Sequence, residues 1–311
     1  MISRDEFEKE VKELVRKDRD NENLKYLSNS YSLTAILIGV FSLVGLFASF
    51  PLTFAVGFSL GPVLMILCII GIIVAVARGC NISKASKYYE KNYLDKVIAI
   101  LLKDSKFSWA KDKYIDEEIF DESKFGGSYD RYNGSDLLTI NIPNDDNSES
   151  DNNLVLCDLV VEKESRDSEG NTDVDTVYKG VFGYASFPCE FKCRLFLNGY
   201  SFFSGLEKVE LEDIEFNRAF RVSSNDQVEA RYILTPVMME KLLSLKKRAG
   251  EIKITMIKDK LYIGFEDLDL FEMKNVKEGN IESMFRDFYD VIRIIMDVVE
   301  EMKNNNKVFK F

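Results

Sequence analysis

Three patterns of apolar and polar residues follow one another along the chain. Residues 1–30 place apolar side chains at helical spacing among charged ones, and the Ser3 to Glu6 segment has the spacing of a capping box, so we expect an amphipathic helix. From Tyr26 to Ala77, 52 consecutive residues lack Asp, Glu, Lys and Arg. From about residue 136 onward, short runs rich in Val, Ile, Phe and Tyr predict strands. The chain is therefore expected to begin with helices and to end in a mixed domain.

The uncharged run is long enough for two membrane-spanning helices, since about 20 residues cross the hydrocarbon core. We predict a two-span transmembrane hairpin over residues 31–77, with spans at Tyr31 to Phe50 and at about Ala55 to Ala77. Small residues recur four apart in both spans, a spacing that allows helices to approach closely. The spans are expected to pack on each other, and a homo-oligomer held together by the same small residues is the alternative.

Basic residues flank both spans but are absent between them. Seven precede the first span, and Arg78, Lys84, Lys87 and Lys91 follow the second. Since cytoplasmic flanks carry the excess of Lys and Arg, this distribution predicts a multi-pass protein of the plasma membrane with both termini in the cytoplasm. No ionisable residue lies inside either span, which disfavours ion transport by the hairpin alone.

The chain after the spans divides into a juxtamembrane helical stalk at residues 78–104 and a cytoplasmic α+β domain at residues 105–311. The domain is expected to hold a mixed or antiparallel sheet with packed helices. We predict a turn at Tyr129 to Gly134 and solvated loops at Asn144 to Asn153 and Glu162 to Asp175. The predicted strands are Leu137 to Ile142, Leu154 to Glu162, Val177 to Phe187, Phe191 to Leu197, Val209 to Phe216 and Val228 to Leu234.

The last third of the chain has the clearest patterns. Pro236 begins a helical period that stops at Ala249-Gly250. Alternating apolar residues on either side of Lys258-Asp259 predict a β-hairpin. The segment from Ile281 to Met302 carries one apolar stripe, so we expect a C-terminal helix that docks on the sheet.

The charge is distributed unevenly around the predicted membrane segment. The formal net charge is −1 for residues 1–30, +3 for residues 78–104 and −13 for residues 105–311. A basic collar beside the spans suits the anionic headgroups of a lipid bilayer, whereas the acidic body is repelled by nucleic acid. The bilayer is therefore an expected partner and nucleic acid is not.

The composition excludes several kinds of chemistry. The chain has no histidine, so Ser-His-Asp and Cys-His nucleophilic systems and histidine-containing metal sites are excluded. Glycine-rich segments occur, but none has the arrangement that cradles a nucleotide phosphate. We therefore expect no cofactor, no metal and no recognisable catalytic residue.

One cluster of polar side chains could still carry a function. Asp226, Glu229, Arg231 and Tyr232 lie within seven residues. On a strand, Glu229 and Arg231 share one face and Tyr232 lies on the other. Two carboxylates beside an arginine could serve proton transfer or anion recognition. The same residues could instead form an ion pair that orders a strand-to-helix junction, with Asp226 starting a turn and Thr235 capping the next helix. We favour the structural interpretation.

Several segments resemble a known family. These are the two N-terminal spans, Tyr178 to Phe182, the stretch from Glu215 to Pro236, and the Leu261 to Phe265 strand followed by Phe271-Glu272. Together they are similar to the bacterial family called domain of unknown function 3137. The resemblance implies a bacterial membrane protein whose relatives often occur near LemA-type membrane proteins. It implies no catalytic residue, substrate or cofactor.

The sequence therefore predicts a membrane-anchored cytoplasmic module that binds a partner protein without catalysing a reaction. A membrane-associated enzyme that uses the carboxylates and tyrosine of the Asp226 to Tyr232 cluster is one alternative. A homo-oligomeric membrane assembly is the other.

Overall fold

The computed structural model describes residues 1–17, 29–56, 60–142, 153–166, 172–199, 205–268, 270–271, 281–305 and 308–309. The chain forms two compact units. The sheet unit contains Met1–Ser3, Leu101–Phe271 and Asp287–Phe311, and the helical unit contains Arg4–Ile100 and Glu272–Arg286.

Three helices make up most of the described residues of the helical unit. Helix α1 (Arg4–Lys17) is the predicted amphipathic helix, with Phe7 and Val11 buried on one face. Helices α2 (Asn29–Val56) and α3 (Leu60–Leu101) contain most of the uncharged run. In the described part of the chain, one segment, Pro62–Lys84, is long and apolar enough to cross a membrane, and the apolar stretch Leu33–Ser49 is shorter.

Helices α2 and α3 pack against each other through small residues, in antiparallel directions. A Cβ atom on Gly39 would lie 3.5 Å from Ala75 Cβ, and one on Gly45 would lie 2.8 Å from Cys68 Sγ. A Cβ atom on Gly71 would overlap Ser42 Oγ. Positions rise along α2 as their partners fall along α3, so the small residues line one continuous contact.

The predicted stalk is part of α3, which continues without a break to Leu101. Tyr93, Leu94, Val97 and Ile98 are buried there. Within the same unit, Arg286 Nε lies 2.9 Å from Glu8 Oε1 on α1. An ion pair thus joins α1 to Arg286, the last residue of the second chain segment of the helical unit.

The described residues of the sheet unit form a nine-stranded antiparallel sheet, with strand order β1-β2-β3-β4-β9-β8-β5-β7-β6. The chain is therefore α+β with an antiparallel sheet and packed helices, as the sequence predicts. The strands are β1 (Phe107–Ala110), β2 (Arg131–Asn141), β3 (Asn153–Arg166), β4 (Thr172–Ser186), β5 (Leu195–Leu197), β6 (Glu207–Lys208), β7 (Val222–Ser224), β8 (Ile252–Ile257) and β9 (Lys260–Glu266).

Five helices complete the described part of the chain: α4 (Glu117–Ser123), α5 (Ile214–Ala219), α6 (Gln227–Ile233), α7 (Pro236–Ala249) and α8 (Ile281–Asn304). Helix α7 and the β8–β9 hairpin lie where the sequence predicts them. In the sheet unit, α7 is tied to α8 by Arg248 with Asp290, and by Lys241 with Glu301 at 2.8 Å. The predicted C-terminal helix is confirmed as an element.

Two predicted connections are wrong. Asn133 and Gly134 lie inside β2 rather than in a turn, and a register shift after Ser135 takes up the irregularity. Strands β3 and β4 also continue past the predicted loop boundaries, to Arg166 and from Thr172. Pairing between two long neighbours stabilises these polar residues as strands. The predicted loop at Asn144 to Asn153 lies almost wholly outside the described residues.

Three predicted strands are shorter than expected or are helices. The Phe191 to Leu197 strand is reduced to β5, with Phe191 in an isolated bridge to Phe309. In the Val209 to Phe216 region, β6 ends at Lys208 and α5 begins at Ile214. The Val228 to Leu234 segment is helix α6. Capping side chains at Asp213 and Asp226 start these two helices, and they override the strand propensity of the residues that follow.

The core of the sheet unit is aromatic on the face that α4 covers. Phe120 of α4 lies 5.2 Å from Phe182 and 5.5 Å from Tyr178 between ring centroids. Phe125 packs edge-on against Phe182 at 5.7 Å. These rings are almost fully buried, so this layer fixes α4 on the middle of the sheet.

Candidate functional site

Asp226 of the predicted cluster is the cap of a helix. Its Oδ1 accepts hydrogen bonds from Val228 N at 2.9 Å and from Glu229 N at 3.1 Å. Its backbone N–H donates to Ser224 Oγ at 3.1 Å. The carboxylate therefore satisfies amides that the first turn of α6 leaves without partners.

Glu229 lies on the first turn of α6, beside a lysine. The nearest approach is 3.9 Å, between Glu229 Oε2 and Lys192 Nζ. Oε2 is buried and accepts no hydrogen bond from any described residue. The pair is therefore at the outer limit of an ion pair, and the two side chains are not in hydrogen-bond contact.

Arg231 and Tyr232 point to different surroundings. The Arg231 guanidinium donates to Gln227 O at 2.9 Å and to Glu210 O at 3.0 Å, so it ties α6 to the residues after β6. Tyr232 is half exposed. Asn305 Nδ2 donates to its backbone oxygen at 3.1 Å. The four residues are neighbours on one helix, but their side chains do not converge on a common point.

Thr235 has the predicted capping role at the next helix. Its Oγ1 accepts a hydrogen bond from Met238 N at 3.2 Å, and Pro236 is the first residue of α7. Helices α6 and α7 thus follow each other directly, each with a polar side chain at its start.

A second group of polar side chains lies beside the aromatic layer. Tyr262 donates a hydrogen bond to Glu122 Oε2 at 2.8 Å, and Lys258 and Lys260 lie 3.3 and 3.5 Å from the same carboxylate. The tyrosine hydrogen bond, with help from the two lysines, lowers the pKa of Glu122. Burial, and then the carboxylate, raises the pKa of Tyr262. The Glu122 carboxylate is therefore an anion that contacts the neutral phenol of Tyr262 and two lysine side chains.

Cys157 and Tyr178 lie inside the same aromatic layer. Burial raises the pKa of the Cys157 thiol and also that of the Tyr178 hydroxyl. Tyr178 donates its proton to Val181 O at 2.6 Å. Both groups are neutral near pH 7, so neither is an activated nucleophile.

The sheet unit also has a cleft at the β6 end of the sheet, with a volume of about 610 Å³. Lys208, Arg218 and Arg221 line it together with Glu210, and all four side chains are exposed. Two further polar residues shape the walls. Asn217 exchanges two hydrogen bonds with the Leu211 backbone, and Asn198 accepts from Arg221 N at 2.9 Å.

Local sequence patterns do not reveal this cleft, because its basic residues are separated in the sequence. Arg218 and Arg221 stand inside the stretch that carries the family resemblance, and Lys208 lies before it. The signal that could have revealed them is local charge, since these residues are basic within a segment whose net charge is −13. In the part of the chain that the structure describes, no group of His, Cys, Asp and Glu could hold a metal ion.

One glycine in the resembling segments has a clear structural role. Gly180 has a φ of 139°, and a Cβ atom there would overlap Phe265 O on the neighbouring strand β9. Glycine adopts this conformation without strain and leaves room for the close approach. The Tyr178 to Phe182 and Leu261 to Phe265 segments thus form adjoining strands.

Comparisons with known proteins agree with the resemblance in part. No curated protein sequence matches the chain. Among solved structures, the chain is similar to the crystal structure of the mycobacterial trehalose monomycolate transport factor A, TtfA, with 8% sequence identity and a TM-score of 0.33. The match covers 67% of this chain and 95% of that one. Residues 176–304 match the family model described as protein of unknown function (DUF3137), which supports the predicted family for that part of the chain.

Proposed function

We propose that the chain is a bacterial two-span membrane protein whose sheet unit is a cytoplasmic module that binds a partner protein. The hairpin of α2 and α3 is the anchor, and binding rather than catalysis is the activity. The observation that carries the proposal is the placement of side chains on this hairpin, with large apolar side chains facing outward and small ones packed between the helices.

The outward faces of α2 and α3 carry large apolar side chains. Phe41 and Phe47 are 72% and 74% exposed on α2, and Ile66 and Ile73 are 57% and 60% exposed on α3. The small residues meanwhile pack between the helices. A hairpin with this surface would expose a large apolar patch to water. A bilayer stabilises the same surface, and it accepts a helix pair because the backbone groups inside each helix form hydrogen bonds within that helix.

The length of α3 supports a stalk beyond the membrane. Its 42 residues extend about 63 Å at about 1.5 Å per residue, which is roughly twice the thickness of the hydrocarbon core. Its first part is apolar and its later part carries Lys84, Lys87 and Asp95. We infer that the helix crosses the bilayer and then continues into the cytoplasm.

The state of the polar groups supports binding over catalysis. Asp226 and Arg231 are used on backbone groups, and Cys157 is buried and neutral. Exposed apolar side chains remain on α6, where Val228 and Tyr232 stand one helical turn apart with 61% and 50% exposure. An exposed valine and tyrosine on one helix face suit a protein contact, since tyrosine is enriched in interfaces.

Cysteine labelling tests the topology. In a variant whose native cysteines are replaced by serine, Ser59→Cys should react in intact cells with a maleimide that does not cross the membrane. Ser3→Cys should react only after the cells are permeabilised. Equal reactivity of both positions in intact cells, or release of the protein by alkaline carbonate, would refute the anchor.

Affinity purification tests the partner. Gentle crosslinking followed by solubilisation in mild detergent should recover a second protein with the chain. Recovery of a single chain alone would contradict the binding module. A crosslinked species containing only copies of this chain would favour the homo-oligomer.

A further inference from the structure

We propose that the basic cleft lined by Lys208, Arg218 and Arg221 binds an extended acidic peptide segment of a partner protein. This inference rests on the proposed binding function, and it adds the place and the chemistry of recognition. Three observations support it: the unpaired arginines, the open edge of the sheet and the size of the cleft.

The two arginines of the cleft have no acidic partner among the described residues. The guanidinium groups of Arg218 and Arg221 are exposed and make no ion pair there. Other basic side chains near the sheet do have one, such as Lys253 with Glu266 at 2.6 Å. The surrounding unit is strongly acidic, so two uncompensated arginines in one concave site are a local reversal of charge. Guanidinium groups bind carboxylates with paired, charge-assisted hydrogen bonds.

The backbone groups of Lys208 contribute more to the cleft than the charge of its side chain does. Its ammonium lies 2.7 Å from Glu210 Oε1, and both side chains are at least 70% exposed, so solvent weakens this pair. The short strand β6 is the last strand of the sheet. Val209 N donates to Val222 O at 3.0 Å. Residues along an antiparallel strand alternate between pointing their backbone groups toward the partner strand and away from it. The N–H and C=O of Lys208 therefore point away from β7. No described strand lies beyond β6, so this edge offers a donor and an acceptor that a peptide strand could pair.

The walls of the cleft are held in place before any ligand binds. Asn198 bridges the end of β5 to Arg221 and to Ile252 O at 3.0 Å. Asn217 locks the segment before α5 through both atoms of its amide. Phe220 lies beneath, with Lys246 Nζ 5.4 Å from its ring centroid. A preformed site loses less conformational freedom on binding.

The size and composition of the cleft favour a peptide over an isolated anion. Its volume of about 610 Å³ falls within the range of about 300–1,000 Å³ that is typical of ligand pockets, and one phosphate or carboxylate group would fill little of it. Glu210 on the wall would repel a compact dianion placed between the basic side chains. An extended segment can place its carboxylates at the arginines and keep apolar residues beside Glu210.

Fluorescence anisotropy on the full chain in detergent tests the inference, with a short labelled peptide of alternating Val and Glu as the probe. Arg218→Gln combined with Arg221→Gln should weaken binding by about tenfold or more, because two charge-assisted contacts are lost. Arg166→Gln combined with Lys179→Gln removes the same charge from exposed positions on β3 and β4, and it should leave affinity within about twofold. Equal losses of affinity in both double variants would show that the cleft is not the binding site.

Two further measurements separate a peptide from other anions. Lys208→Pro removes the edge N–H, and it should weaken binding more than Lys208→Gln, while unchanged melting by Trp109 fluorescence shows that the fold persists. Inorganic phosphate and soluble short-chain phosphatidylglycerol should compete poorly. Full displacement by either one, or equal effects of the two Lys208 variants, would overturn the peptide assignment.

The inference and the proposed function can fail separately. If a captured partner binds the wild type and the double arginine variant equally, the cleft is the wrong surface and the binding function stands. If the peptide binds at the cleft but no partner is recovered from crosslinked cells, the site stands and the proposed function fails.

Discussion

The hairpin of α2 and α3 and the sheet unit distribute the same apolar residues in opposite ways. In the hairpin, phenylalanines lie outside and glycine and serine lie between the helices. In the sheet unit, Phe120 and Phe182 are at most 1% exposed, at the centre of an aromatic layer. The hairpin relies on close backbone approach, while the sheet unit relies on the burial of large side chains.

This difference assigns a different cause of stability to each region. Removal of apolar area from water dominates in the sheet unit. In the bilayer proposed for α2 and α3, that driving force is absent between the helices, and tight packing takes its place. A large-to-small substitution should therefore cost much more stability in the sheet unit than on the outer face of the hairpin.

The largest effect is expected for Phe182→Ala. This side chain contacts several aromatic rings of the core, and its loss leaves a cavity that costs about 3–5 kcal/mol of unfolding free energy. Urea unfolding in detergent, followed by the fluorescence of Trp109, measures the change, since it is the single tryptophan of the chain and lies in the sheet unit. Phe47→Ala is the matched control on α2. It should leave the Trp109 transition unchanged, and an equal loss there would break the comparison.

The next effect concerns the packing between α2 and α3. Gly71→Ile introduces a side chain that would overlap Ser42, and overpacking of this kind costs about 1–3 kcal/mol. Denaturation in increasing SDS, followed by helix content, should show earlier separation of the hairpin. Gly79→Ile is the control, because nothing lies within 4 Å of a Cβ atom at that position. If both variants behave alike, small residues do not hold the hairpin together.

A smaller effect is expected when the helix-capping hydrogen bonds of Asp226 are removed. Asp226→Ala removes the acceptor for two amides of α6 and should cost about 1 kcal/mol, whereas Asp226→Asn should retain most of the stability. The Trp109 unfolding transition reports both. A cost above that of Phe182→Ala, or equal costs for alanine and asparagine, would show that the carboxylate does more than cap the helix.

The smallest effect is a pH dependence. The hydrogen bond from Tyr262 lowers the pKa of Glu122 in the folded state. Its stabilising contribution is then complete above the ordinary pKa of a glutamate, about 4.3, and is lost as the pH falls through the lower folded value. Glu122→Gln should flatten the acid side of the stability curve. An unchanged slope below pH 5 would exclude the contribution. Phe47→Ala should keep the wild-type slope.

The sequence was a good guide wherever one strong pattern dominated. Pro236 and Thr235 gave the start of α7, and the alternation around Lys258-Asp259 gave the last hairpin. The sequence was a poor guide where a helix-capping side chain was followed by residues of high strand propensity. Val228, Tyr232 and Ile233 have high strand propensity, but Asp226 accepts two amide hydrogen bonds and starts a helix. Asn133-Gly134 failed because pairing with the long strand β3 keeps the dipeptide extended.

The candidate sites show the same division. Asp226, Glu229, Arg231 and Tyr232 were found because they lie close together in sequence, and the helix then directs their side chains apart. Arg218, Arg221 and Lys208 meet only after β6 pairs with β7 and the chain returns through α5. Such a site depends on contacts between distant segments, which local patterns do not report.

The chain passes four times between the helical unit and the sheet unit, after Ser3, Ile100, Phe271 and Arg286. The helical unit is therefore not a removable N-terminal tail. A fragment that starts at Leu101 would retain residues 272–286 but lose α1, and with it the Glu8 that pairs with Arg286. One proteolytic cut at any of these passages leaves the other three intact. The helical unit and the sheet unit are inseparable by simple truncation, so the protein is best produced and studied as a whole.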